Sequence, residues 1–213
     1  HLGHADSLAV NASAWAFMLT GRVLSLDESR GVPTAISRTV RRLGEPVIRT
    51  ALRQGMRLLA RQFVMGRTIE EALARAATSD GRRWRYSFDM LGEAAKTQAD
   101  AARYMHAYRD AIGAIGRSVG GGTAENREIS VKLSALDPRY EPLQAARCVP
   151  DLIAALTELA LAAREAGIGL TVDAEEADRL EISLDILAAI LADPRLDGWD
   201  GLGLAIQAYQ KRA

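Results

Sequence analysis

Three short apolar stretches each carry one conspicuous polar side chain: Lys132 in Ile129-Ser-Val-Lys-Leu, Asp173 after Ile168-Gly-Leu-Thr-Val, and Gln207 in Leu202-Gly-Leu-Ala-Ile-Gln. Together they offer an ammonium, a carboxylate and a carboxamide. If the stretches are neighbouring parallel strands, about 4.8 Å apart, side chains at their carboxyl ends can converge on one small ligand. Taken singly, each residue also has a structural reading. Lys132 and Asp173 fit an ion pair, since buried charges are usually paired, and Gln207 fits an ordinary buried hydrogen bond. Lys132 is the harder one to dismiss. Only three lysines occur, Lys96, Lys132 and Lys211, so 24 of the 27 basic residues are arginine. A lysine inside an apolar strand supplies a compact ammonium whose protonation responds to burial, which arginine does not.

The elements that must position these residues follow from hydrophobic spacing. Ile168, Leu170 and Val172 form an apolar run too short for a helix, bounded by Gly167, and read as a buried parallel strand. Asp173 then lies at the strand's carboxyl end, the rim where α/β sheets and barrels bind ligands. Upstream, Tyr86, Phe88 and Met90 alternate as a strand, and Ala101, Tyr104, Tyr108, Ile112 and Ile115 share one side of the following helix. After the Lys132 strand, Pro150 reads as the first residue of a helix that buries Leu152, Leu156, Leu159 and Ala163 and stops at Gly167. Leu180, Leu184, Leu187 and Leu191 stripe the next helix, which Pro194 ends, and a last strand from Leu202 to Tyr209 carries Gln207.

Four strands alternating with helices imply an α/β fold with parallel pairing and right-handed crossovers. A complete eight-unit barrel takes about 250 residues. Residues 86–213 supply 128. The expectation is a helical arm over residues 1–80, then the first four units of an incomplete (β/α)8 barrel over 81–213, in a fragment of a longer protein. Within the arm, helices are expected from Asp6 to Leu19, from Thr34 to Leu43 and from Pro46 onward, with a capping box of Thr68 and Glu71 starting another through Ala77. Its arginines read as a solvated face. Gly120-Gly-Gly122 precedes a strand rather than a helix, so it reads as a loop and not a phosphate cradle.

The strings "YSFDMLGEAA", "SVKLSALDPRY", "LTVDAEEADRLE" and "IQAYQKR" resemble successive motifs of the proline dehydrogenase domain of bacterial proline utilisation A proteins. The upstream "LGEPVIRTALRQGMRLLARQFVMGRTIEEAL" is similar to the helical region before that domain's barrel, so the resemblance covers nearly the whole chain. It implies a flavoprotein oxidoreductase in which FAD lies across the carboxyl rim and accepts hydride equivalents from L-proline, giving pyrroline-5-carboxylate. On matching positions it implies that Lys132 contacts substrate and flavin, that Asp173 is the active-site acid bordering the flavin with Ala174 beside it, and that Gln207 hydrogen-bonds the isoalloxazine. Glu93 matches an acid that helps gate the site. Asp89 shares the first strand end, with no role carried over. For the parent, the resemblance implies an electron acceptor such as a membrane quinone, with an aldehyde dehydrogenase domain, a DNA-binding domain and peripheral membrane association all known among the resembled proteins. The later strands and the last helix, whose paired arginines bind the proline carboxylate in that family, are missing here, and these 213 residues alone are expected to have little or no activity.

Two other readings remain open on the residues alone. A lysine on a barrel strand also serves Schiff-base aldolases, and a half barrel with a helical arm could be a non-catalytic interaction module. Composition narrows the rest. Balanced charge, 27 basic against 27 acidic residues, gives no electrostatic reason to expect nucleic-acid binding in this segment. No apolar run approaches the roughly 18 residues of a membrane span and no signal peptide is recognisable, which reads as cytoplasmic. The single cysteine, Cys148, has no partner for an internal disulfide and reads as buried or incidental. An unpaired sheet edge would favour self-association as a homo-oligomer.

Overall fold

The computed structural model describes residues 53–56, 60, 63–78, 81, 84–92, 94–118 and 127–211. Glu93, the Gly120-Gly-Gly122 loop, the helices expected from Asp6 and Thr34, and most of the one expected from Pro46 lie outside the described residues. The chain divides into two compact units, His1–Arg67 and Thr68–Ala213. The sequence boundary near residue 80 falls inside the second.

That second unit opens with helix α1, Ile69–Ala76, where the Thr68 side chain accepts the Glu71 N–H. The rest alternates strand and helix: β1 Tyr86–Asp89, α2 Gln98–Arg117, β2 Arg127–Val131, a short helix α3 Leu133–Leu136, α4 Ala145–Glu165, β3 Gly169–Val172, α5 Leu180–Leu191 and β4 Leu202–Leu204. All pairings are parallel and the spatial order is β1-β2-β3-β4. Strands laid down consecutively, with no reversal of direction across the sheet, are the way a barrel starts; a doubly wound sheet would switch sides partway.

The period of two divides each strand cleanly. Phe88, Ile129, Val131, Leu170 and Val172 point to one face and are buried, at 7% exposure for Phe88 and 0% for the other four. They meet α2 and α4, whose own inner faces, Tyr108, Ile112 and Ile115 on one and Leu152, Leu156 and Leu159 on the other, are also essentially sealed. Each such side chain stabilises the unit by about 1.5–3 kcal/mol relative to exposure. The opposite face carries Ser87, Asp89, Glu128, Ser130 and Thr171, none of them buried. Lys132 and Asp173 continue the polar set by the same period.

Capping chemistry fixes the helix ends. Thr97 and Asp100 make a reciprocal capping box at the start of α2. At the end of α4, Gly167 has φ +68, its N–H donates to Arg164 O at 3.1 Å and the Ile168 N–H donates to Ala163 O at 3.0 Å. This is a Schellman motif, and it turns the chain directly into β3.

Three expectations need correction. Helix α4 starts at Ala145, not Pro150, following a 3-10 turn over Pro142–Gln144. Ala146 and Pro150 are both exposed, so the carbonyl that loses its donor to the proline faces solvent and the helix is not broken. On α5 the buried row is Ile182, Ser183, Ile186 and Ile190, whereas Leu191 is 63% exposed. Apolar residues occupy most of that helix, so leucine spacing alone does not single out the inner row; Leu180 and Leu184 instead border a cavity of about 230 Å³ with Leu204 and Ile206. Finally, β4 ends at Leu204, so Gln207 lies beyond the strand, directly before a turn at Ala208 and Tyr209. The β3 strand stops at Val172, whose carbonyl accepts the Ala205 N–H at 2.9 Å, and beyond it no ladder remains to hold β4 extended.

Two outcomes test this packing. Gly167→Ala meets no atom within 4 Å, so its cost is backbone strain alone, about 1–2 kcal/mol in chemical denaturation. Cys148 is 0% exposed and burial pushes its thiol up, so iodoacetamide should label it only after unfolding.

Candidate active site at the strand ends

Each of the first three strands delivers a charged residue where it stops. Asp89 is the last residue of β1, Lys132 follows β2 and Asp173 follows β3. The register pairs Asp89 with Ser130 and Val131 with Val172, so Lys132 and Asp173 leave the same face side by side, with Asp89 two residues lower on that face. Lys132 Nζ lies 2.6 Å from Asp89 Oδ1 and 2.9 Å from Asp173 Oδ2. Both are charge-assisted distances.

Burial decides what this cluster is worth. The side chains of Lys132, Asp89 and Asp173 are 22%, 36% and 27% exposed, so the cluster is neither sealed nor in bulk water. Screening therefore keeps it below a buried pair, while partial desolvation keeps it above a free surface pair. Asp173 is further fixed by its backbone: its N–H donates to Val131 O at 2.9 Å, and its Oδ1 accepts the Ala174 N–H at 2.9 Å. One carboxylate oxygen is thus tied to the chain and the other to Lys132.

The cluster borders a groove of about 580 Å³ lined by Lys132, Ser134, Ala174, Glu175, Arg179 and Gln207 among others. That size suits a small organic ligand or part of a larger cofactor. Gln207 reaches the groove from the segment after β4. Its Oε1 accepts from Tyr209 Oη at 3.1 Å and Gln210 Nε2 at 2.9 Å, so its own Nε2 remains a donor for a ligand. The structure thus brings Lys132, Ala174 and Gln207 to one groove, with Asp173 reaching it only through its bond to Lys132 Nζ.

Sequence reasoning passed over several residues here. Asp89, to which the resemblance carries no role, is a direct partner of Lys132. Arg179 donates to Glu141 at 2.5 Å, Glu176 at 2.8 Å and Glu175 at 3.4 Å, and its guanidinium carbon lies 5.1 Å from the Tyr140 ring centre. Burial opposes its charge, yet the Glu141 bond and the Glu176 charge hold it above the usual arginine value. Burial, with the Glu175 charge, pushes the Tyr140 phenol well above its ordinary range, so it stays protonated and donates to Arg179 O at 3.4 Å. Glu175 belongs to the acidic run after Asp173, and nothing local to that run reports its partner 41 residues away. Among the described residues, no group of three or more His, Cys, Asp and Glu side chains could hold a metal, and no helix is long and apolar enough to cross a membrane.

Residues 1–63 match the family model for the DNA-binding domain of Proline dehydrogenase, and residues 72–213 match that for Proline dehydrogenase itself. Bifunctional protein PutA of Salmonella typhimurium is 49% identical over 213 residues, covering 100% of this chain and 16% of that protein. The Klebsiella aerogenes and Rhizobium meliloti proteins of the same name are 48% and 46% identical, over 100% of this chain and 16% and 17% of theirs. The chain thus spans about a sixth of the length of these relatives. A crystal structure of a Bradyrhizobium japonicum proline utilization A mutant is 50% identical with TM-score 0.65, covering 100% of this chain and 22% of that one. Proline utilization A from Bdellovibrio bacteriovorus inactivated by N-propargylglycine, 19% identical over 78% of this chain and 18% of its own, shares the fold with TM-score 0.71. The family match over residues 72–213 takes in most of the sequence, and the chain belongs to the proline dehydrogenase family.

Proposed function

We propose that this chain supplies the first four strand ends of a flavin-dependent active site in a larger protein that oxidises L-proline to pyrroline-5-carboxylate. The observation that carries the reading is Lys132 bridging Asp89 and Asp173 at the carboxyl rim, in a chain of the proline dehydrogenase family. FAD suits the residues present. A ring with carbonyl acceptors fits a groove that offers the Lys132 ammonium and the Gln207 carboxamide as donors, with the small side chain of Ala174 leaving room beside them.

Oxidation breaks a ring C–H bond next to nitrogen: hydride departs, the nitrogen lone pair forms the C=N bond, and the nitrogen gives up its proton. When bound, FAD supplies the two-electron acceptor for that hydride. The lone pair is available only when the amine is neutral. Lys132 disfavours a second cation only on a substrate nitrogen that approaches Nζ itself, against the opposite pull of its two flanking carboxylates. Asp89 and Asp173 direct their carboxylates at Lys132 and hold its ammonium in place, where it can also counter negative charge that develops across the groove. Asp173, pinned by the Ala174 N–H, is the fixed anchor for the Lys132 ammonium. An ammonium bound to two carboxylates has its lone pair tied up in N–H bonds, which argues against a Schiff-base lysine. The same reading extends to the parent a reoxidant such as a membrane quinone and a second catalytic domain such as an aldehyde dehydrogenase, in keeping with relatives named bifunctional.

The test uses the full-length gene product. Anaerobic L-proline should bleach its yellow flavin absorbance, and a bound flavin that stays oxidised would overturn the proposal. Lys132→Ala and Asp173→Ala should each lower kcat/KM for proline by about 100-fold, with melting temperature little changed. Borohydride added with a ketone such as pyruvate should leave the mass of Lys132 peptides unchanged; an adduct would favour imine chemistry instead.

A further inference from the structure

We infer that Tyr108 and Glu175 are positioning residues for Lys132, fixing the backbone on either side of it so that its ammonium meets both carboxylates. Lys132 occupies the N-cap position of α3 and makes no side-chain cap. A cap residue is normally Ser, Thr, Asp or Asn, whose oxygen accepts an N–H of the first turn. Lysine has donors only, and its charge is disfavoured at a helix N-terminus. The acceptor comes from another element. Glu175 Oε1 accepts the Ser134 N–H at 3.0 Å, while its Oε2 is held by Arg179 at 3.4 Å and its side chain is only 10% exposed.

The other flank is held from α2. Tyr108, 0% exposed, accepts the Lys132 N–H on its phenol oxygen at 3.1 Å. Lys132 therefore has a side chain from α2 on its own amide and a side chain from the loop after β3 on the amide two residues on. The carbonyl of Ser134 accepts the Ala95 N–H at 2.9 Å, which ties the same turn to the loop after β1. Elements from three successive βα units thus converge on one turn. Such a turn sets where Nζ can go, and a misplacement of about 1 Å at a reacting centre can cost about 100-fold in rate.

The activity arm of the test rests on the proline dehydrogenase reading; the exchange arm does not. In the full-length protein, Glu175→Ala should lower kcat/KM for proline about tenfold, and Glu175→Gln, whose carbonyl still accepts the Ser134 N–H, should restore most of it. Tyr108→Phe should also lower it. Each combined with Lys132→Ala should be no slower than Lys132→Ala alone, because the positioning residues act through that side chain. Amide hydrogen exchange over residues 132–136 should quicken in Glu175→Ala and not in Glu175→Gln. Losses that multiply with Lys132→Ala, or exchange that does not change, would overturn the inference. Should Glu175→Ala not fold, Tyr108→Phe carries the same cycle. A wild-type protein that does not oxidise proline would sink the functional reading while the exchange measurement still decides this one.

Discussion

Lys132 is held where parallel strands stop, by carboxylates at 2.6 and 2.9 Å that come from the strands on either side. An ammonium only 22% exposed cannot be left alone there, since removing its partners would leave a partly desolvated charge uncompensated. The geometry that compensates it depends on register. A slip of one residue in β2 would move Lys132 to the helix-packed face and bring Ile129 and Val131 out to the polar one. What forbids the slip is the sealing of Ile129, Val131, Leu170 and Val172, all 0% exposed against α2 and α4. The charged cluster is thus kept in place by hydrophobic packing on the other side of the sheet, and its own attraction is a small term beside that.

The loops beyond the strands are stiffened by a second set of charges. Arg179 gathers Glu141, Glu175 and Glu176 from two different loops, and Tyr140 lies against its guanidinium. Arginine suits this place because its planar fork serves several acceptors at once while its flat face packs on a ring. Asp137, buried to 2% exposure, accepts the Arg139 N–H at 2.7 Å and fixes the turn leading out of α3. Polar networks of this kind reinforce one another in a partly desolvated setting. They give loop residues a rigidity nearer to that of the strands they extend.

Much of this was legible in the sequence. Strand positions, the burial of Leu152, Leu156, Leu159 and Ala163, and the Gly167 stop follow from spacing and from the left-handed turn that glycine permits. The strand-end readings of Lys132 and Asp173 follow from a polar residue where an apolar run stops. What was hidden was of two kinds. Glu175 bonds to Ser134, 41 positions away, and no local pattern reports a cap supplied across that distance. The inner row of α5 was ambiguous because isoleucine and leucine rows are both apolar, and only the neighbouring α4 chooses between them. Averaging hid something as well. Residues 1–63 hold nine arginines and no lysine against four acids, an excess of positive charge that the balanced whole-chain count cancels. That is the segment matched by the DNA-binding family model.

Charge at the groove constrains how an amino acid could sit in it. One ammonium between two carboxylates leaves the cluster with a net negative charge, which would attract the substrate's nitrogen end and repel its carboxylate. The carboxylate therefore needs a cation set apart from the strand ends. Arg179 is the arginine lining this groove among the described residues, but it already serves three carboxylates. Turning it toward a substrate would uncover Glu141, Glu175 and Glu176 together and release the acceptor at Ser134. Among the described residues lining this groove, then, no arginine can clamp a carboxylate bidentately without dismantling that network.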